Sequence, residues 1–167
     1  HTTPRPDWFI QVQDIGKDFR ADNGFMPNVG YREAYVEGGY TFRPKDRFLS
    51  RIRLFSANYF DGDQDGRLLN RRISVGSGMD GRLNSFMRLE LNRDDFRVGD
   101  QVLDRFRPRF FVESSPGRIL NYISLDTYAG EEIDFANGRK AHGVTLVGSV
   151  SLRPHDHFEL RGDASRR

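Results

Sequence analysis

Tyr31-Arg32-Glu33-Ala34-Tyr35-Val36-Glu37-Gly38-Gly39-Tyr40-Thr41-Phe42 runs into a turn at Arg43-Pro44-Lys45-Asp46-Arg47. It returns as Phe48-Leu49-Ser50-Arg51-Ile52-Arg53-Leu54-Phe55-Ser56-Ala57-Asn58-Tyr59-Phe60. On the way out Ala34, Val36, Gly38, Tyr40 and Phe42 alternate with Glu33, Tyr35, Glu37, Gly39 and Thr41. On the way back Phe48, Ile52 and Leu54 alternate with Arg47, Arg51 and Arg53. A period of two makes each arm a strand with one apolar and one polar face. With Phe42 and Phe48 on a common face, Val36 is expected opposite Leu54 and Glu37 opposite Arg53. Each arm is about a dozen residues, against about 5–6 for the usual strand. A tilted strand of about 9–11 residues crosses a bilayer.

The same alternation recurs outward from this hairpin. Trp8 to Gln13 is expected as strand one, and Arg71 to Met79 as strand four, with Ile73, Val75 and Met79 on one face. Asp80-Gly81-Arg82 is read as a tight turn. Strand five then sets Leu83, Met87, Leu89 and Leu91 against Arg82, Asn84, Arg88, Glu90 and Asn92, which places Arg72 opposite Glu90. Strand six, Arg105 to Ser114, and strand seven, Arg118 to Tyr128, flank Pro116-Gly117, which places Asp126 opposite Arg107. Strand eight carries Val144, Leu146, Val150 and Leu152; strand nine starts at His157. The fold class is all-β, an antiparallel up-and-down meander of about nine strands, read as one portion of a transmembrane β-barrel spanning 1–167. Short turns are expected near 43–47, 80–82, 115–118 and 153–157, and long loops near 14–30, 61–70, 94–104 and 129–141, the rhythm of an outer-membrane barrel. Arg43-Pro44-Lys45-Asp46-Arg47 is echoed by Arg153-Pro154-His155-Asp156-His157, as expected of turns at one membrane boundary. A soluble antiparallel sandwich is the alternative. It gives no reason for Arg and Glu to recur at the centres of long strands, where a barrel lumen would pair Glu37–Arg53, Arg72–Glu90 and Arg107–Asp126. Arg71 and Ser50 fall on the apolar face against this pattern.

Composition narrows the class. No run of about 18 apolar residues exists, so no transmembrane helix is expected. The mean hydropathy is −0.67, which a barrel tolerates because half of each strand faces a polar lumen. There is no cysteine, hence no disulfide or thiolate metal site. Arg supplies 23 of the 26 basic residues, and Asp plus Glu number 24. Arg suits planar pairing with carboxylates in a packed polar interior, and the interleaved acids argue against a nucleic-acid surface. A start at His1 and an end at Ser165-Arg166-Arg167 within a strand pattern read as a piece of a longer protein.

Four features could carry chemistry. Asp61-Gly62-Asp63-Gln64-Asp65-Gly66 matches the first half of an EF-hand loop, but Arg72 stands where the twelfth-position Glu belongs. A weak external Ca²⁺ site at Asp61, Asp63 and Asp65 is the one cofactor reading. His155 and His157 flank Asp156 and read as a polar turn, because no further metal ligands are indicated. Glu33, Glu37, Glu90 and Glu113 could suggest paired carboxylates for glycoside hydrolysis. A nearby Arg for each would hold it ionised and make it a poor general acid, so no catalytic residue is assigned. Arg161-Gly162-Asp163 lies within a strand pattern and reads as chance.

Asp18-Phe19-Arg20-Ala21-Asp22-Asn23-Gly24-Phe25-Met26-Pro27, followed by Gly30-Tyr31-Arg32, is the most distinctive segment. It resembles the segment before a strand hairpin in the C-terminal barrel domain of an uncharacterised family of Gram-negative surface proteins. Those proteins carry an N-terminal carbohydrate-binding module similar to family nine; these 167 residues contain no such module. The resemblance implies a bacterial outer-membrane β-barrel that binds or transports glycans or related solutes, with outer-membrane lipid as its surroundings. It brings no catalytic residues. Arg20, Asp22 and Asn23 of the first loop are the expected ligand-binding residues. The alternatives are a soluble all-β carbohydrate-binding domain and a barrel-type hydrolase.

Overall fold

Nine strands alternate along the chain and pair strictly with their sequence neighbours. The computed structural model of the protein describes residues 5–20, 29–45 and 48–167. The strands are β1 (Arg5–Ile15), β2 (Tyr31–Phe42), β3 (Leu49–Asp63), β4 (Leu68–Gly81), β5 (Phe86–Val98), β6 (Gln101–Ser114), β7 (Leu120–Asp134), β8 (Arg139–His155) and β9 (Phe158–Arg166). They form one antiparallel sheet in the order β1 to β9, an up-and-down meander. The sheet is not closed: β1 and β9 are its two edges. No helix among the described residues is long and apolar enough to cross a membrane, which leaves a strand-built span untouched.

The facing of the strands follows the sequence alternation, while their register differs from expectation by four residues in each of three hairpins. Glu37 lies opposite Ala57 rather than Arg53. Arg72 lies opposite Asp94 rather than Glu90, and Asp126 opposite Phe111 rather than Arg107. Each connection uses more residues than a minimal turn. In the β2–β3 hairpin the last pair is Phe42 with Ile52. The β4–β5 turn occupies Arg82 to Ser85, so β5 starts at Phe86 and not at Leu83. An even slip leaves every side chain on its face, whereas an odd one would turn the sheet inside out.

The long loops expected near 61–70, 94–104 and 129–141 are instead paired strand, closed by short turns. Gly66, Gly99 and Gly138 hold φ of 82°, 62° and 61°, the left-handed backbone that tight hairpin turns demand. Polar composition suggested loops here, but the residues pair across the hairpin. Only the β1–β2 connection is long, from residue 16 to 30. Part of it, including Asp22 and Asn23, lies outside the described residues.

At the opposite end, Leu83 and Asn84 both have positive φ, 59° and 48°. The Ser85 N–H donates to the Arg82 carbonyl at 3.1 Å. Asn tolerates this backbone; Leu does not. Leu83→Gly should therefore stabilise the chain by about 0.5–1 kcal/mol. Equilibrium unfolding would read this as a raised midpoint at unchanged slope.

Candidate functional site

The two faces of the sheet have opposite accessibilities from those of a soluble sheet. The face bearing charge is the sheltered one. Ser74, Glu90, Asn92, Asp94, Arg105, Glu132 and Ser151 are buried, and Asp94 is wholly so. The apolar face is open: Leu54, Val75, Leu89 and Leu91 are each about half exposed. Among the described residues no second layer covers it, since every strand packs essentially on its chain neighbours. Among the described residues the buried apolar side chains are Phe55, Ala57 and Ile133 alone. The sheet therefore curls around its polar side.

That polar side is held by ion pairs crossing several strands. Arg72 on β4 and Arg105 on β6 both bind Asp94 on β5, the latter at 2.8 Å. Arg105 continues to Glu132 on β7 at 3.1 Å, and Glu132 also takes Arg107 at 2.7 Å. Arg88 reaches Glu90 at 2.8 Å. Arg109 makes a two-pronged contact with Asp126, at 2.9 and 2.7 Å. Of the three pairs expected from sequence, Glu37–Arg53 forms, at 2.6 Å. The other two exchange partners, to Arg72–Asp94 with Glu90–Arg88, and to Arg107–Glu132 with Asp126–Arg109. The four-residue slip is the cause.

Glu37–Arg53 survives that slip because of Gly39. The Arg53 guanidinium lies across Gly39, in space that a Cβ there would occupy. From that position it spans Glu37 and, on β1, Asp7. Phe55 is the aromatic counterpart. It lies against Gly76, again where a Cβ would intrude, with the Arg88 guanidinium 4.3 Å above its ring.

Within this charged surface lies a hollow of about 460 Å³, within the usual ~300–1,000 Å³ range of ligand pockets. Ala57 and Ser74 are among its lining residues, both buried, and are short enough to leave room above the sheet. Tyr35 and Tyr59 stand along one side, their hydroxyls donating to Glu37 and Glu33. Arg88, Glu90 and Arg109 stand on the other, with Arg72 and Asn70 between. Among the described residues the side-chain hydrogen bonds of Arg72 and Arg88 use Nε alone, to Asp94 and Glu90, and the Arg88 guanidinium also covers the Phe55 ring. The Asn70 side-chain oxygen is buried and receives no donor there. Tyr59 faces the polar side.

The open face has a defined border. Arg71 on β4 pairs with Asp95 on β5 at 2.6 Å. Asp104 on β6 takes Lys140 on β8 at 2.9 Å. These residues share the apolar face and form a charged row along one rim, which accounts for Arg71 there. Arg93 on β5 stands level with Ile73 and Phe106 on this face and reaches back to Asp104 at 3.9 Å. Otherwise the stripe below the row is mainly apolar, as in Ile73 to Met79 (broken by Ser77), Phe106 to Val112 and Val144 to Leu152. At ~3.4 Å per residue these stretches cover about 20–27 Å along the strand.

The other residues singled out from sequence are dispersed. Asp61 sits on the polar face opposite Glu33 and Asn70. Asp63 closes its own turn, accepting from the Asp65 and Arg67 backbone N–H groups at 3.0 and 2.8 Å. Asp65 meets Lys17 at 2.9 Å. The three aspartates are thus not brought together, and among the described residues no group of three His, Asp or Glu side chains is arranged to hold a metal. The Arg67 N–H, ahead of its side chain, holds the Asp63 carboxyl below the usual range at this hairpin tip. Its stabilisation is therefore in place above the ordinary carboxylate pKa and is lost as pH falls through the depressed one. Of the four glutamates weighed for hydrolysis, Glu37 and Glu90 have Arg partners, whereas Glu33 and Glu113 accept from Tyr59 and Tyr122. Arg20 is exposed.

Comparison with known proteins finds no family model, no curated protein and no solved structure that matches this chain.

Proposed function

We propose that this chain is the wall of a transmembrane β-barrel in a bacterial outer membrane, and that its lumen-side hollow takes glycans or related polar solutes for surface binding or transport. The observation that carries the membrane part is the inverted burial: charged residues sheltered on one face, apolar residues open on the other, uncovered one. Water penalises such a face, and lipid does not. The charged row from Arg71 to Lys140 fits a headgroup boundary, and the stripe below it, about 14–22 Å deep on strands tilted ~35–45°, approaches the ~25 Å apolar band of such barrels. The solute part rests on the tyrosine side chains and guanidinium groups around one hollow, together with the resemblance of the Asp18–Arg32 segment. No role as an enzyme is assigned.

Trp8, the sole tryptophan, tests the membrane part. It is 76% exposed and lies beside Ile10 and Val12 on the apolar side of β1. After refolding into phosphatidylcholine vesicles, its fluorescence should fall strongly when the acyl chains are brominated and respond weakly to aqueous iodide. Strong iodide quenching with no effect of bromine would refute the membrane assignment.

A further inference from the structure

The backbone ladder between β6 and β7 stops halfway. Arg109 to Ser114 pair with Tyr128 to Ile123, and the register goes no further toward the charged rim. On either side the ladders do go on: β5–β6 reaches Val98–Gln101, and β7–β8 reaches Asp134–Arg139. Two residues mark the break. The Phe106 N–H points at β7, where it donates to the Glu131 carboxylate at 2.6 Å rather than to a carbonyl. Pro108 faces the same way by the alternation of the strand and has no N–H to give. Across from it, Gly130 holds φ of 124° and lies against the Phe106 carbonyl, where a Cβ would intrude.

Resting on the reading of the chain as a barrel wall, and going beyond it, we infer that this stretch is a lateral gate: a seam that parts to join the polar side of the sheet to the open apolar face. Side chains latch it in place of ladder rungs. Arg105 and Arg107 on β6 both hold Glu132 on β7, at 3.1 and 2.7 Å. Lys140, from β8, reaches over to Asp104 at 2.9 Å. The Gln101 amide donates to the Gly138 carbonyl at 2.8 Å. A continuous ladder opens only by exposing a row of N–H and C=O groups, which lipid cannot satisfy. Here that row is already interrupted, and ion pairs swing aside without breaking it, so this is the junction that opens at least cost. Buried Arg105 lies on its inner side, and half-exposed Phe106 on its outer side. A parting above Pro108 therefore connects the two faces directly.

Pairs of nitroxide labels on introduced cysteines, in the full chain refolded into phosphatidylcholine vesicles, test this. Labels at Phe106 and His142 span β7, and labels at Phe106 and Ile73 span β5. Each pair is two strand spacings apart, about 10 Å in the backbone. The pair across β7 is expected to give a second, longer separation, and the pair across β5 a single short one. Glu132→Gln should raise the ratio of longer to shorter about tenfold or more, the loss of one charge-assisted bond. Pro108→Val, which supplies the missing N–H, should abolish the longer one. A single short separation for both pairs would overturn the gate, and so would a longer one in both, or one that survives Pro108→Val. The comparison of the two pairs stands even where a variant fails to fold. A longer separation across β7 in a protein whose Trp8 ignores brominated lipid would sink the membrane reading and leave the seam. Trp8 quenching with one short separation would do the reverse.

Discussion

Leu89→Arg is expected to cost about 2–4 kcal/mol when the chain is folded in a bilayer. Leu89 lies in the interior of β5 on the open face, about half exposed. On a soluble sheet, an arginine at an exposed site of this kind changes stability by no more than about 0.5 kcal/mol. The gap arises because lipid cannot solvate a guanidinium, and at the centre of the band the side chain cannot snorkel to the interface. The neighbouring strand supplies an internal contrast: Arg71 occupies the same face at the rim, where it finds Asp95. Denaturant titration in lipid vesicles measures the difference directly. A cost near zero at Leu89 would mean that water covers this face.

Asp94→Asn is expected to cost about 3–5 kcal/mol, the usual penalty for removing one partner from a buried charge group. Asp94 is fully buried between Arg72 and Arg105. Arg105 is itself buried, with Glu132 and the Phe96 ring, 4.8 Å away, as its other contacts. Neutralising Asp94 leaves two guanidinium groups facing each other with one carboxylate fewer. The pairs at the sheet's margins, such as Arg118–Asp156, are exposed on both sides and should each contribute no more than about 1 kcal/mol. Unfolding of Asp94→Asn beside Asp156→Asn therefore separates a sheltered network from a solvated one. Equal, small effects would show that the polar face is open to water.

The facing of the strands was legible in the sequence, and their register was not. Alternation at Ile52/Leu54, Leu89/Leu91 and Val144/Leu146 fixes which side is apolar, because the period of a strand admits no other reading. Pairing depends on how many residues each turn consumes, and nothing in the alternation counts those. Hence Arg72 met Asp94 instead of Glu90 while staying on the same face. The hairpin tips were misread for another reason. Asp, Gly and Asn runs at 61–70 and 129–141 look like loops by composition. The Asn137-Gly138 pair is in fact a strong two-strand turn signal, and the structure turns there. The hollow was not legible at all, since Tyr35, Asn70, Arg72 and Arg88 come from three different strands. Only the register brings them together.

Because the chain has no cysteine, single cysteines carrying nitroxide labels can be placed one at a time along β5 from Met87 to Asn92, in the chain refolded into vesicles. The account predicts a period of two: labels at Met87, Leu89 and Leu91 relaxed by oxygen dissolved in the bilayer, and labels at Arg88, Glu90 and Asn92 shielded from it. Equal shielding at Leu89 and Leu91, or their relaxation by a water-soluble nickel complex, would contradict it.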